Sequence, residues 1–309
     1  MSEVNRLIWR DGEFVKWEDA TVHVLAQSLQ RGSLAFDYMS VHQTPRGQAV
    51  LKLPEHIARL LETCHIMGIP LTYLQDELVA ACIETVSKNP ESYSLKISAL
   101  IPSIEVELVP QDQRVSVVIA SYDGLKDIIQ HNPGKYHEAK QLSLKIERSI
   151  SNRQVNIIPP QAKVAANYTS PMFAKWRARK EGFDDILLLD GDFVAEAPTS
   201  NLFAVIDDSL ITPPASRVLH GITRASVIEL AGTLGIPVTE RDITVAELLA
   251  ADEVFLTATS IGVWPVIKID EVTFSNGEKG PLTRQLQEKH KRITKGEEPE
   301  YAHWLTLCG

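Results

Sequence analysis

The sequence predicts an α+β protein of two domains, and three observations carry that reading. Apolar residues recur at helical spacing in some segments. Short apolar runs bounded by Asp-Gly or Asn-Pro-Gly turn signals fill others, and the order is mixed, without repeating strand-helix-strand units. With 309 residues, 44% of them hydrophobic and 23% charged, the chain is long enough to bury two cores of ordinary globular composition.

Taken in order, Leu7-Ile8-Trp9 and Phe14-Val15-Lys16-Trp17 flank Asp11-Gly12, a dipeptide that tolerates the positive φ of a tight turn, which predicts a β-hairpin. From Pro54, the spacing of Ile57, Leu60, Leu61, Cys64 and Met67 predicts a helix over 54–67, closed by Gly68-Ile69-Pro70. A second helix over 75–88 and strands over 93–101 and 114–121 complete a small α+β domain over 1–122. Gly124, Asn132-Pro133-Gly134 and mixed polarity mark 123–136 as a linker. A larger α+β domain over 137–309 is expected to hold a helix over 168–181 and a hairpin over 185–197 turning at Asp190-Gly191-Asp192. Strands over 202–206 and 210–212, a helix over 223–234, strands over 254–257 and 263–269, and a helix over 281–293 follow.

Charge narrows the partners. A formal net charge of -9 and a pI near 5.5 disfavour a sequence-independent grip on nucleic acid or on an anionic membrane, so a small-molecule partner is expected. Met1 to Arg6 is not a basic region followed by an apolar stretch, and no run reaches the roughly 18 apolar residues of a spanning helix, so the expected compartment is the cytoplasm. Cys64, Cys82 and Cys308 are odd in number and lack metal-ligand spacing, which predicts neither a disulfide framework nor a metal site.

Lys163 lies between Pro159-Pro160 and Ala165-Ala166-Asn167-Tyr168, and Glu196 opens Glu196-Ala197-Pro198-Thr199-Ser200-Asn201. A lysine amine condenses with an aldehyde cofactor, and a carboxylate keeps a pyridine nitrogen protonated so that the ring accepts electrons. Together they suggest pyridoxal phosphate chemistry. Each alone is ordinary, since loop lysines and strand-end glutamates are usually solvated. Ala162, Ala165 and Ala166 leave room for a planar ring, and Tyr168 is either a donor to its phenolic oxygen or a packed aromatic. Leu219-His220-Gly221-Ile222-Thr223-Arg224 supplies a glycine and a hydroxyl at a helix start, where anions bind. Thr257-Ala258-Thr259-Ser260 offers hydroxyls at a strand end, and Arg59 is either a charge-assisted phosphate donor or a solvated helical arginine.

These passages, in this order, resemble the class IV, or fold-type IV, aminotransferases over nearly the whole chain, from Ile8-Trp9 to Trp304. That group contains branched-chain amino-acid aminotransferase, D-amino-acid aminotransferase, (R)-selective amine transaminases and aminodeoxychorismate lyase. Ile158-Pro159-Pro160-Gln161-Ala162-Lys163, Asn201-Leu202-Phe203, Thr212-Pro213-Pro214, Gly221-Ile222-Thr223-Arg224 and Ala251-Asp252-Glu253-Val254-Phe255 carry the likeness. The resemblance implies pyridoxal 5'-phosphate as cofactor. It makes Lys163 the Schiff-base lysine and proton shuttle, sets Glu196 at the pyridine nitrogen and Tyr168 at the phenolic oxygen, and gives Arg59, Ile222, Thr223 and Thr259 to the phosphate. It also implies at least a homodimer, or a higher homo-oligomer, sharing pocket residues, and ping-pong transfer from an amino donor to a 2-oxo acid. The branched-chain pattern Tyr-Gly-x-x-x-Phe-Glu-Gly-x-Arg reads here Arg31-Gly32-Ser33-Leu34-Ala35-Phe36-Asp37-Tyr38-Met39-Ser40, so Arg31 and Ser40 replace a tyrosine and an arginine. Arg31, Phe36, Ser40 and Ser260 are the expected substrate-binding residues. D-amino-acid or (R)-amine transamination, a lyase outcome, and a non-catalytic phosphate-ligand binder are the competing readings.

Overall fold

In the computed structural model, which describes residues 4–130 and 141–309, Asp11 and Gly12 take φ of 51° and 100° and turn β1 (Leu7–Arg10) into β2 (Glu13–Lys16). This is the expected hairpin. The chain divides into two compact units, one comprising Met1–His137, Ala162–Ala166 and Ile293–Gly309, the other Glu138–Gln161 and Asn167–Arg292. Of the expected linker, Gly124–Ile129 forms a short π-helical turn, and residues 131–136 lie outside the described residues.

After α1 (Gln27–Arg31), the first unit runs through β3 (Ala35–Thr44), β4 (Gly47–Leu51), α2 (Leu53–Ile66), α3 (Gln75–Lys88), β5 (Ser94–Leu100) and β6 (Ser116–Tyr122). The two helices bury Ile57, Leu60, Cys64, Leu78, Cys82 and Val86 against Met39, Val41, Leu95, Ile97, Val117 and Ile119 of the sheet. Both helices and the strands β5 and β6 match the expectation within two residues. The ten-residue β3 was not expected. Its alternate residues Phe36, Tyr38 and Ser40 stand opposite Ser98, Lys96 and Ser94, forming a half-buried polar and aromatic face.

The second unit opens with β7 (Leu142–Ser151), also unexpected, then α4 (Thr169–Lys180), β8 (Asp185–Asp190), β9 (Phe193–Val194), β10 (Glu196–Ala197), β11 (Ser200–Ile206) and β12 (Ser209–Thr212). It continues through α5 (Ile222–Thr233), β13 (Val238–Glu240), α6 (Val245–Leu249), β14 (Glu253–Ala258), β15 (Gly262–Ile269), β16 (Val272–Thr273) and α7 (Pro281–Thr294). The strand order is β13-β12-β11-β14-β15-β7-β8-β9, with parallel pairs at β12/β13, β15/β7 and β7/β8. One expectation needs correcting: the 185–197 hairpin ends at Val194. Glu196 instead pairs with Asn201 across the turn into β11, because both side chains are committed to one hydrogen-bond cluster. The terminal strand β17 (Leu305–Leu307) returns to the first unit and pairs with β4.

Candidate active site

In the first unit, Lys163 is held through its backbone. Ala165 N–H donates to Leu34 O at 2.9 Å, Ala166 N–H to Gly32 O at 3.1 Å, and Lys163 O accepts from Phe36 N–H at 3.1 Å. Val164 bridges Ala35 in antiparallel register, so the segment lies beside the start of β3 like an added strand. On its other side Lys163 N–H donates to Thr63 Oγ1 of α2 at 3.1 Å. Every main-chain contact thereby fixes where the side chain starts. Its ammonium sits 5.1 Å from the centre of the Phe36 ring, and the Lys96 ammonium sits 5.0 Å from the same ring. Burial first, and then the Lys163 charge, lowers the Lys96 pKa. Gly32 lies against Ala166 with φ of 69°, and a β-carbon there would stand 3.4 Å from the Ala166 methyl, so the left-handed backbone more than lack of space calls for glycine.

Arg59 is not a solvated arginine. Its side chain is 8% exposed, and its Nε and Nη2 donate to Asp37 Oδ2 and Oδ1, both at 2.8 Å. His56 Nδ1 lies 2.7 Å from Asp37 Oδ1. Burial acts to raise the Asp37 pKa, but Arg59 and then His56 overcome it and hold the carboxyl well below the usual range. For His56 burial wins over the pull of Asp37, with the Arg59 and Lys163 charges adding to it, so its pKa falls and the neutral imidazole donates from Nδ1.

In the second unit, Glu196 is 2% exposed and accepts from Arg153 Nη1 at 2.6 Å, from Asn201 Nδ2 at 3.0 Å and from Leu219 N–H at 3.2 Å. Three donors arriving from separate segments fix the orientation of the carboxylate. Arg153, which the sequence reading missed, also donates to Pro198 O at 2.8 Å and Asn167 O at 3.3 Å, and its guanidinium carbon stands 5.0 Å from the Tyr168 ring centre. It therefore ties the two segments that carry Tyr168 and Glu196 to one cation.

Gly221 is the N-cap of α5 and makes no side-chain cap bond, so the first amides of the helix receive no cap from that position. A β-carbon on Gly221 would fall 1.9 Å from Asn201 Oδ1. Only glycine allows Asn201 to reach both Glu196 and Leu219 O. Thr223 is 3% exposed. Thr257 stands directly opposite Asn201 in the β11/β14 ladder, and its Oγ1 is buried without a hydrogen-bond partner among the described residues. The orphaned hydroxyl, the uncapped helix start and the glycine cradle fit an anionic group such as phosphate. Arg224 serves a different purpose, donating to Pro213 O at 2.9 Å and Glu240 at 2.6 Å.

Residues 34–269 match the family described as amino-transferase class IV. The chain belongs to the class IV aminotransferases. It is 33% identical over 312 residues to a branched-chain-amino-acid aminotransferase of Pseudomonas aeruginosa, covering 99% of each chain. The crystal structure of the branched-chain aminotransferase from the thermophilic archaeon Thermoproteus uzoniensis, with norvaline, superposes with a TM-score of 0.89 at 32% identity, covering 98% of this chain and 99% of that one. The branched-chain amino acid aminotransferase of Thermobaculum terrenum, crystallised in its PLP form, superposes with a TM-score of 0.87 at 27% identity, covering 99% of both chains. The fold is that of the fold-type IV aminotransferases.

For this class IV aminotransferase the expected substrate residues separate by place. Phe36 lies under Lys163, and Ser40 is half-buried on the same strand face, opposite Ser94. Arg31 is exposed in the last turn of α1, and Ser260 is exposed in the turn after β14, next to half-buried Thr259. Tyr38, Asp37, His56, Thr63, Arg153 and Thr257 were not singled out from sequence as site residues. Of these only Thr257 stood inside a noted hydroxyl cluster.

Proposed function

We propose that the chain is a pyridoxal 5'-phosphate aminotransferase of the branched-chain type, moving an amino group from an amino acid to a 2-oxo acid at one site in two half-reactions. The observation that carries this reading is the buried Glu196 carboxylate, aimed by Arg153, Asn201 and the Leu219 amide. The names of the relatives support branched-chain amino acids as donors, although Arg31 and Ser40 depart from the branched-chain pattern.

When bound, pyridoxal phosphate supplies an aldehyde that condenses with amines and a ring that accepts electrons. Lys163 would hold that aldehyde and, once released, take the proton from the donor's Cα and return it as general base and acid. Glu196 would keep the pyridine nitrogen protonated, and Tyr168, oriented under Arg153, would donate to the phenolic oxygen. Arg59, the Ile222 and Thr223 amides and Thr259 would hold the phosphate, and we add Thr257 for its unpartnered hydroxyl.

We also propose a homodimer in the cytoplasm. Val24, Leu25 and Leu29 are exposed beside Ile104, Val106, Leu108 and Val109, which the Ala26/Ile104 bridge and the Gln27 Nε2 bond to Leu108 O bring together; such an apolar surface suits a second copy. The three cysteines are free and buried, which suits a reducing compartment, and no helix among the described residues is long and apolar enough to cross a membrane.

Half-reactions with L-amino acids, D-amino acids and (R)-1-phenylethylamine, followed by loss of the visible cofactor band, test the assignment. Branched-chain L-amino acids are expected to react fastest, and turnover is expected to require a 2-oxo acid. Stoichiometric pyruvate release without an acceptor would refute the transferase reading. Lys163→Ala is expected to remove borohydride-trappable cofactor, and a tag mapped to another residue would remove Lys163 from its role.

A further inference from the structure

His56, Arg59 and Thr63 recur at i, i+3 and i+7, placing them along one side of α2, next to the arc of Ile57, Leu60 and Cys64 that enters the core. Thr63 and Asp37 are 0% exposed and His56 is 1% exposed. Polar groups buried this deeply are retained only with partners, and these have two distinct ones. Towards β3, Asp37 takes the Nε and Nη2 edge of Arg59 while His56 holds one oxygen of the same carboxylate. Towards Lys163, Thr63 accepts the lysine's own amide N–H.

The bidentate geometry matters because a guanidinium is flat. Once Asp37 fixes the Nε and Nη2 edge, the plane of the fork and the direction of Nη1, on the opposite edge, are set. A long arginine side chain without that contact would have to be ordered by its ligand instead. The Thr63 bond likewise acts on the root of the Lys163 side chain and not on its amine.

We propose that this side of α2 is a positioning element with two separable arms: Asp37, steadied by His56, aims Arg59 at the cofactor phosphate, and Thr63 sets the backbone from which Lys163 reaches the cofactor aldehyde. The proposal rests on the pyridoxal phosphate reading above. None of the three is a catalytic residue, since each acts through Arg59 or Lys163.

The two arms separate by titrating cofactor-free protein with pyridoxal 5'-phosphate and with pyridoxal, which lacks the phosphate. Asp37→Asn is expected to weaken pyridoxal phosphate binding about tenfold, the usual scale for losing a group that orients a ligand-binding side chain, while pyridoxal binding stays as in wild type. His56→Gln moves the same quantity in the same direction, and serves if Asp37→Asn does not fold. Thr63→Val is expected to lower the share of bound cofactor that is joined to Lys163, read from the visible band per bound cofactor and by borohydride trapping. The equilibrium constant should fall about fivefold, the net worth of one hydrogen bond, and Thr63→Ser should restore it. The arms are refuted if the Asp37 and His56 variants weaken both ligands equally, or if Thr63→Val leaves the joined share unchanged. A wild type that takes up no pyridoxal phosphate overturns the functional reading together with this one; a wild type that binds it, with variants that bind identically, overturns this one alone.

Discussion

Replacing Arg153 by methionine tests whether one buried cation organises the Glu196 cluster of the second unit. Arg153 and Glu196 are 6% and 2% exposed, so the substitution leaves a carboxylate in the interior without its charged partner. Breaking a buried pair from one side costs about 3–5 kcal/mol, and the contacts to Pro198 O and Asn167 O are lost as well. For a unit of this size about 1 kcal/mol corresponds to roughly 2–4 °C, so the melting temperature of the cofactor-free protein should fall by about 10 °C. Calorimetry of the cofactor-free protein measures this without involving catalysis. The double variant Arg153→Met with Glu196→Gln removes the stranded charge and should recover most of the loss, because two neutral groups carry no uncompensated ionic desolvation. If the single variant stays within about 1 kcal/mol of wild type, or the double variant is no more stable than the single, Arg153 does not have the role argued for it.

Three further outcomes follow from the same geometry. Gly221→Ala keeps an allowed backbone, with φ of -68°, but drives a methyl into Asn201 Oδ1; it should destabilise by about 1–3 kcal/mol and weaken cofactor binding, seen by melting and by titration. Thr257→Val replaces a buried hydroxyl that has no partner, so it should stabilise the cofactor-free protein by about 1 kcal/mol while weakening pyridoxal phosphate binding; weaker stability with unchanged binding would refute the phosphate placement. His42 is pushed down by burial from 6.5 to about 4, so as pH falls below 6.5 the unfolded chain takes up a proton that the folded imidazole refuses until about pH 4. Stability should decline across that window by about 3 kcal/mol, with nothing lost from this group above it, and His42→Gln should flatten the slope in urea melts at stepped pH. His56, shifted in the same direction, leaves a residual slope.

Helices with a clean apolar stripe were legible in the sequence, and strands with a charge on their buried face were not. In α2, Ile57, Leu60 and Cys64 repeat with the helical period and all enter one core. In β3, Ala35, Met39 and Val41 face the same core, but Asp37 sits among them, and a carboxylate at an inward position erases the alternation that identifies a strand. β7 was missed for a different reason. Leu142, Leu144 and Ile146 alternate, but Glu147 is buried on the opposite face, accepting from the Ser149 amide and hydroxyl, and the alternation does not continue through the second half of the strand. Pattern reading assumes that buried positions are apolar, and β3 breaks the assumption where His56 and Arg59 supply the partners of Asp37 from elsewhere in the chain.

The same physics divides the site. Lys163 and Glu196 were found because their immediate neighbours carry the signal: a flanking Pro-Pro and alanines for one, a Pro-Thr-Ser-Asn turn for the other. Arg153 lies in Ser151-Asn152-Arg153-Gln154, which reads as a polar loop, and its meaning comes from Glu196, 43 residues away. Thr63 is given its place by the Lys163 amide, 100 residues away, and Arg59 by Asp37 at a separation of 22. A local window contains one member of each pair, and a lone buried polar residue looks like a surface residue until its partner is known. Sequence therefore shows the groups proposed to touch the cofactor more readily than those that aim them. The aiming groups are where a change can alter how the cofactor is held without touching Lys163 or Glu196. Asp37 makes the point directly: the branched-chain pattern carries glutamate there, one methylene longer, so Asp37→Glu should push Arg59 out of its present plane. That substitution should alter pyridoxal phosphate affinity more than pyridoxal affinity, and equal effects on both would mean that the length of this side chain has no bearing on how Arg59 is held.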